Sequence, residues 1–275
     1  MMPRWTSDHR ILLYAPNVHT GGGFVLLQDF LDAWPTDKPL VAWLDARAKD
    51  RVVLPQGNTK IEWIDATLAS RAHAEFSLRA TGQEKDAILC FHGLPPVLKN
   101  KARILIYQQN KNYLGIIPLS QFPQRTRYRL RFEQMVCKIL RHRVDSYIVQ
   151  TPSMERAVRN WYGGGGTDVV IFPFAPPIIK NTNIEKKWDF VYIADGEAHK
   201  NHRTLIDAWI ILAKAGLRPS LMLTLSDRDY SLRQWVEEKS AAHGLNIKNL
   251  GQLPHVEIMT VYHQAAALIF PSKNE

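Results

Sequence analysis

Short runs of apolar residues recur along the chain, separated by stretches in which apolar positions fall three or four apart. Ile11–Ala15 is the first run, and Pro16, Asn17 and the triplet Gly21–Gly23 follow it. Phe24, Leu27, Leu31 and Trp34 then keep the period of a helix, which Pro35 closes. Further strands are predicted at Leu40–Leu44, Ile61–Ile64, Asp86–Phe91, Arg103–Tyr107, Ser146–Gln150 and Val169–Phe172. Helices are predicted over 67–80, Pro123–His142 and Ser153–Tyr162, the last ended by Gly163–Gly166. Strands that are apolar throughout are covered on both faces. With helices between them they imply a parallel, doubly wound sheet with right-handed connections.

Residues 173–188 break the pattern. Pro173, Pro176 and Pro177 precede a polar stretch, the mark of an interdomain linker. Alternation restarts at Phe190–Ala194. Asn201 can cap a helix from His202 to Ala215, with Leu205, Ile206, Trp209 and Ile210 as its apolar stripe. A strand at Leu221–Leu225, a helix over 231–242 and a short strand at Asn246–Leu250 come next. A helix over Pro254–Ala266 and a strand at Ala267–Phe270 complete the series. The predicted domains are 1–172 and 189–275. The second has about four strands, where a doubly wound domain commonly has about five or six.

Composition narrows the class. The chain has 275 residues, 45% hydrophobic and 22% charged, which suits a globular fold and excludes a polyelectrolyte. Its apolar runs are too short to span a bilayer, and Met1–Asn17 lacks the features of a secretory signal. Cys90 and Cys137 make neither a disulfide framework nor a four-cysteine zinc site, so a reduced, cytoplasmic protein is expected. No histidine spacing suggests a metal.

Net charge is +9, and it is concentrated. Residues 121–143 hold Arg125, Arg127, Arg129, Arg131, Lys138, Arg141 and Arg143 against Glu133, a net +6. Leu130, Phe132, Met135, Val136, Ile139 and Leu140 supply an apolar face in the same segment. Three readings stay open: a solvated basic face, an interfacial helix on anionic lipid, or a nucleic-acid contact through Arg interleaved with Phe122, Tyr128 and Phe132.

Two places could meet an anionic ligand. Gly21, Gly22 and Gly23 stand between a strand and a helix, where open α/β sheets bind ligands, although they match neither the dinucleotide fingerprint nor the P-loop. Lys200 lies just before a helix and Arg203 in its first turn. Cations there oppose the helix dipole, which favours a ligand over stability as their purpose. His92, Gln108, Gln109 and Asn110 follow strands and are candidates for contact with hydroxyl groups, against the reading as ordinary loop residues.

The run Phe190–Trp209, then Gly251-Gln-Leu-Pro254 and Val261–Glu275, resembles the C-terminal domain of the GT-B retaining glycosyltransferases of family four. The Gly21–Gly23 loop is similar to that family's N-terminal glycine loop. The resemblance implies an α/β, GT-B-like fold with two Rossmann-like domains, the second incomplete. It implies transfer of a sugar from a nucleotide-diphospho-sugar to a saccharide or lipid-linked acceptor, with retention of configuration, as in polysaccharide biosynthesis. No cofactor and no obligatory metal are implied. Lys200 matches the lysine on the donor diphosphate, with Arg203 as a helper, Glu275 the first of two glutamates on the donor's hydroxyls, and His92 an acceptor-side histidine. The family usually has Gly-Arg where this chain has Ala194-Asp195. The chain stops at the first glutamate, so a C-terminal truncation, low activity and a sticky unpaired sheet edge are expected. A non-catalytic remnant or sugar-nucleotide-binding module is the alternative. Peripheral attachment to the inner face of the membrane is expected from the lipid-linked acceptors of such enzymes and from residues 121–143.

Overall fold

The computed structural model describes residues 10–164, 168–173 and 184–273. Most of the expected linker, and Glu275, lie outside these residues. The chain divides into two compact units, Met1–Pro177 and Ile178–Glu275.

In the first unit the strands are β1 (Ile11–Ala15), β2 (Leu40–Asp45), β3 (Thr59–Ile64), β4 (Ala87–Cys90), β5 (Arg103–Tyr107), β6 (Ser146–Val149) and β7 (Asp168–Ile171). They form one sheet in the order β3-β2-β1-β4-β5-β6-β7, every pair parallel. Among the described residues four α-helices occupy four of the six connections: α1 (Gly21–Asp32), α2 (Leu68–Thr81), α3 (Gln124–Leu140) and α4 (Pro152–Tyr162).

Alternation along each strand divides the core into two layers. Leu13 and Ala15 pack with Leu27 and Leu31 of α1. Leu12 and Tyr14 face the other side and meet Ala74 and Leu78 of α2, Cys137 of α3 and Val158 of α4. Both sides of β1 are thus sealed, which is why its sequence is apolar throughout.

The second unit holds β8 (Trp188–Tyr192), β9 (Leu221–Leu223), β10 (Ile247–Asn249) and β11 (Ala265–Leu268) in the parallel order β10-β9-β8-β11. Helices α5 (His202–Lys214) and α6 (Tyr230–His243) cover one face through Leu205, Ile206, Trp209 and Val236. Helix α7 (His255–His263) packs Val261 against Val191, Met222 and Ala265 on the other.

Several boundaries differ from the sequence reading. Gly21–Gly23 form the first turn of α1 rather than a loop before it. Helix α7 stops at His263, and β11 begins at Ala265, because Ala265 enters register with Trp188. The alanines there read as a continuing helix, but pairing overrides propensity. Strand β11 is an edge among the described residues, with Leu268 and Phe270 exposed. Helix α3 has two apolar faces rather than one. Leu130, Cys137 and Leu140 are buried, whereas Tyr128, Phe132, Met135 and Ile139 are exposed.

His202, the first residue of α5, is 3% exposed, and neither ring nitrogen has a hydrogen-bond partner among the described residues. Its ring lies 4.9 Å from that of Tyr192. Burial lowers its pKa to about 4, Lys200 adds to this, and Asp195 and Asp229 act against it. The folded chain therefore binds fewer protons than the unfolded chain between about pH 4 and the ordinary value of 6.5. The contribution to stability is full above 6.5 and is lost as pH falls through that window. Its slope reaches at most about 1.4 kcal/mol per pH unit. The substitution His202→Phe should flatten the fall in urea midpoint between these limits by a measurable part. An unchanged pH profile would show that His202 does not carry it.

Candidate functional site

Strand order reverses at β1, which has β2 on one side and β4 on the other. Loops leaving the carboxyl ends of such a pair diverge and leave a crevice. Asn17 and the glycine triplet follow β1, and His92 and Gly93 follow β4, so the structure brings these candidates to one edge of the sheet.

The loop after β1 is tethered. Arg51 donates to the His19 carbonyl and lies over the Phe24 ring, 5.0 Å from its centroid. At Gly23 a β-carbon would meet Oε1 of Gln109 at 3.7 Å, which puts the triplet beside the loop after β5. Gln109 donates to the Phe91 carbonyl and Gln108 to the Asn110 carbonyl. Each amide nitrogen spends one of its two hydrogens on loop backbone; Oε1 of Gln108 is buried, whereas Gln109 is half-buried and stays a candidate for an incoming hydroxyl.

Nδ1 of His92 lies 3.3 Å from the Tyr14 carbonyl. A carbonyl only accepts, so Nδ1 carries the hydrogen and the neutral ring keeps a bare Nε2. Burial lowers the pKa of His92 to about 4, and the charge of Arg71 contributes. The ring is therefore neutral at pH 7: a good hydrogen-bond acceptor and a weak base. Gly93 has φ +82°, and a β-carbon there would stand 3.3 Å from the Tyr113 ring, which makes glycine the fitting residue.

Two residues at this edge escaped the sequence reading. Arg71, in the first turns of α2, donates to Oδ1 of Asn17 at 2.6 Å, and its buried Nε has no partner among the described residues. Glu133 of α3 is half-buried, and burial raises its pKa, although Arg129 and Arg71 pull it down. Tyr14 donates to Glu75, which also accepts the Leu98 amide, so that carboxylate is occupied by structure. Arg71 and Glu133 come from helices far apart in sequence, and no local motif marks them.

In the second unit the loop after β8 and the segment after β11 are stitched together. The Tyr192 hydroxyl donates to the Lys200 carbonyl at 2.7 Å and lies 2.9 Å from Oγ of Ser272. Its one hydrogen goes to the carbonyl, so Ser272 donates to Tyr192. Asn201 donates to the Pro271 carbonyl at 3.0 Å, and the Lys273 amide donates to the His199 carbonyl at 2.9 Å. The backbone at Lys200 is thus fixed against residues 271–273 at the ends of two paired strands.

Asn201 is the first residue before α5, in the left-handed region at φ +59°, but its side chain caps no amide of the helix. Oδ1 instead accepts from the Thr204 hydroxyl. The amides opening α5 are left to other partners, an arrangement suited to an anion. Asp195 accepts from the Glu197 amide at 3.3 Å within its own turn. The Arg203 guanidinium lies 4.6 Å above Trp235, on the contact between α5 and α6. Among the described residues no three His, Cys, Asp or Glu side chains cluster to hold a metal.

Residues 176–275 match the family model described as glycosyl transferases group 1. No curated protein gives a significant match. The structure of HepE from Anabaena with UDP and glucose superposes with a TM-score of 0.62 at 14% identity, covering 96% of this chain and 74% of HepE. TarM of S. aureus gives 0.54 at 10% identity, over 75% of this chain and 40% of TarM. The pneumococcal O-GlcNAc transferase GtfA, with UDP and GlcNAc, gives 0.52 at 15% identity, over 74% of this chain and 40% of GtfA. The chain thus spans about two-fifths of TarM and GtfA and about three quarters of HepE. At these identities the likeness is one of fold: the two parallel α/β units are of the GT-B glycosyltransferase type.

Proposed function

We propose that the chain transfers a sugar from a nucleotide-diphospho-sugar to a saccharide or lipid-linked saccharide, with retention of configuration. The observation that carries this reading is the fixed junction of Lys200 with residues 271–273, inside the segment that matches the group 1 transferase model. HepE and GtfA, which share the fold, are described in complex with UDP and a sugar.

When the sugar leaves, negative charge develops on the departing diphosphate. A cation and unfilled amides held rigidly at that point stabilise it without reorganising. Lys200 and the opening turn of α5 take this role. Glu275 follows Lys273 by two positions and is assigned to the hydroxyls of the donor sugar. Arg203 serves the fold of the second unit through Trp235. The acceptor is assigned to the first unit, over Gly21–Gly23, Asn17, Arg71 and His92. Because His92 is neutral with a bare Nε2, it orients an acceptor hydroxyl rather than removing its proton.

Assays with UDP-glucose test both halves. Lys200→Ala should lower kcat about a hundredfold, while UDP affinity falls by less. An unchanged kcat would remove Lys200 from the reaction. His92→Ala should raise the KM of a saccharide acceptor about tenfold and leave donor hydrolysis unaltered. A collapse of kcat instead would make His92 a base. Binding of UDP by the wild type with neither transfer nor hydrolysis would favour a sugar-nucleotide-binding module.

A further inference from the structure

Helix α3 buries Leu130, Gln134, Cys137 and Leu140 against the first unit. On its opposite side Tyr128, Phe132, Met135 and Ile139 are 68%, 62%, 48% and 60% exposed. Their spacing of four, three and four places all four on one stripe, within about 60° of arc at 100° per residue. Scattered exposed apolar residues need no explanation, but a continuous stripe along a whole helix does.

Charge borders the stripe on both sides. By the same helical geometry Arg125 and Arg129 flank one edge, and Arg131 and Lys138 the other; all four are exposed. Glu133, the one acid of the helix, points inward and is half-buried. Past the end of α3 the positive charge continues. Arg143 lines a groove of about 410 Å³ with Lys99, Lys101 and Arg103, against the one acid Asp145.

We propose that α3 docks the protein on an anionic lipid surface, lying in the plane of the headgroups with Tyr128, Phe132, Met135 and Ile139 in the apolar layer. The helix has 17 residues, and no helix among the described residues is long and apolar enough to cross a membrane, so it lies on the surface. An apolar stripe between two rows of cations matches the boundary between acyl chains and phosphate headgroups. Guanidinium groups pair with phosphates through two parallel hydrogen bonds, and a tyrosine suits the interface because its ring is apolar and its hydroxyl polar. A soluble polyanion would use the arginines and leave the stripe uncovered. A second copy of the chain would bring the two rows of cations together.

Docking here would also reach the first unit's candidate site. Gln134 of α3 donates to the Asn112 carbonyl at 2.7 Å, in the loop after β5, and Tyr113 of that loop packs beside Gly93. Membrane binding does not require sugar transfer, so each can fail alone.

Co-sedimentation of the 275-residue protein with vesicles tests the proposal. It should bind vesicles containing phosphatidylglycerol and not pure phosphatidylcholine, and added salt should weaken binding. The double variant Phe132→Ser, Ile139→Ser keeps every charge, and Arg125→Glu, Arg131→Glu keeps the stripe. Each should lose about tenfold or more in vesicle affinity while circular dichroism stays unchanged. Equal binding to both vesicle types, or to neither, would overturn the proposal. So would loss with the charge variant alone, which marks a general polyanion site, or a stable dimer that the serine variant dissolves.

Discussion

Parallel strands cannot be joined by a tight turn, so each must be followed by a crossover that returns the chain to the opposite edge of its sheet. Every loop that leaves the carboxyl end of a strand is thereby delivered to the same side. In the first unit this constraint places the loops after β1, β4 and β5 together. In the second it places the loop after β8 beside the segment after β11. The remaining polar chemistry depends on that placement, because the apolar strands leave few polar groups inside the sheets. Asp45 is buried at the end of β2 and is held by two hydrogen bonds from the Arg47 side chain. It too stands where a strand ends.

The two units use the constraint differently. Around His92 side-chain donors hold neighbouring carbonyls, Nδ1 on Tyr14 and one hydrogen each of the Gln108 and Gln109 amides on Asn110 and Phe91, and Nε2 of His92 is left as a bare acceptor. A bare acceptor on His92, a spare amide hydrogen on Gln109 and the cation Arg71 at one edge suit a ligand with several hydroxyls. Around Lys200 the balance is reversed. Carbonyls of Lys200, Pro271 and His199 are all satisfied, and the helix amides remain. A surplus of donors suits an anion. The hydroxyl of Tyr192 is central to this second arrangement, since it fixes Lys200 and Ser272 at once.

The strands were legible because burial on both faces makes them apolar without interruption. Their centres fall where the apolar runs lie, and errors sit at the ends. Ala265 and Ala266 read as helix because alanine is a strong helix former, and only the pairing with β8 assigns them to a strand. Arg71 and Glu133 were not legible because their meaning comes from tertiary neighbours contributed by other segments. At Arg203 a cation at a helix start opposes the dipole, which the sequence pattern alone reads as a sign of a ligand. Trp235, 32 positions later in sequence, supplies a structural partner that the local pattern could not reveal. In α3 the sequence shows apolar residues at helical spacing but not which of them the sheet covers, so one face was read where the structure has two.

In the proposed reaction the donor nucleotide meets the second unit where the backbone of Lys200 and residues 271–273 is held together. Hydrogen exchange with and without UDP measures this directly. Amides of residues 194–203 and 269–273 should gain protection when UDP binds, and the Tyr192→Phe variant should lose much of that gain because it frees the Lys200 carbonyl. Protection appearing elsewhere, with these two segments unchanged at saturating UDP, would contradict the account.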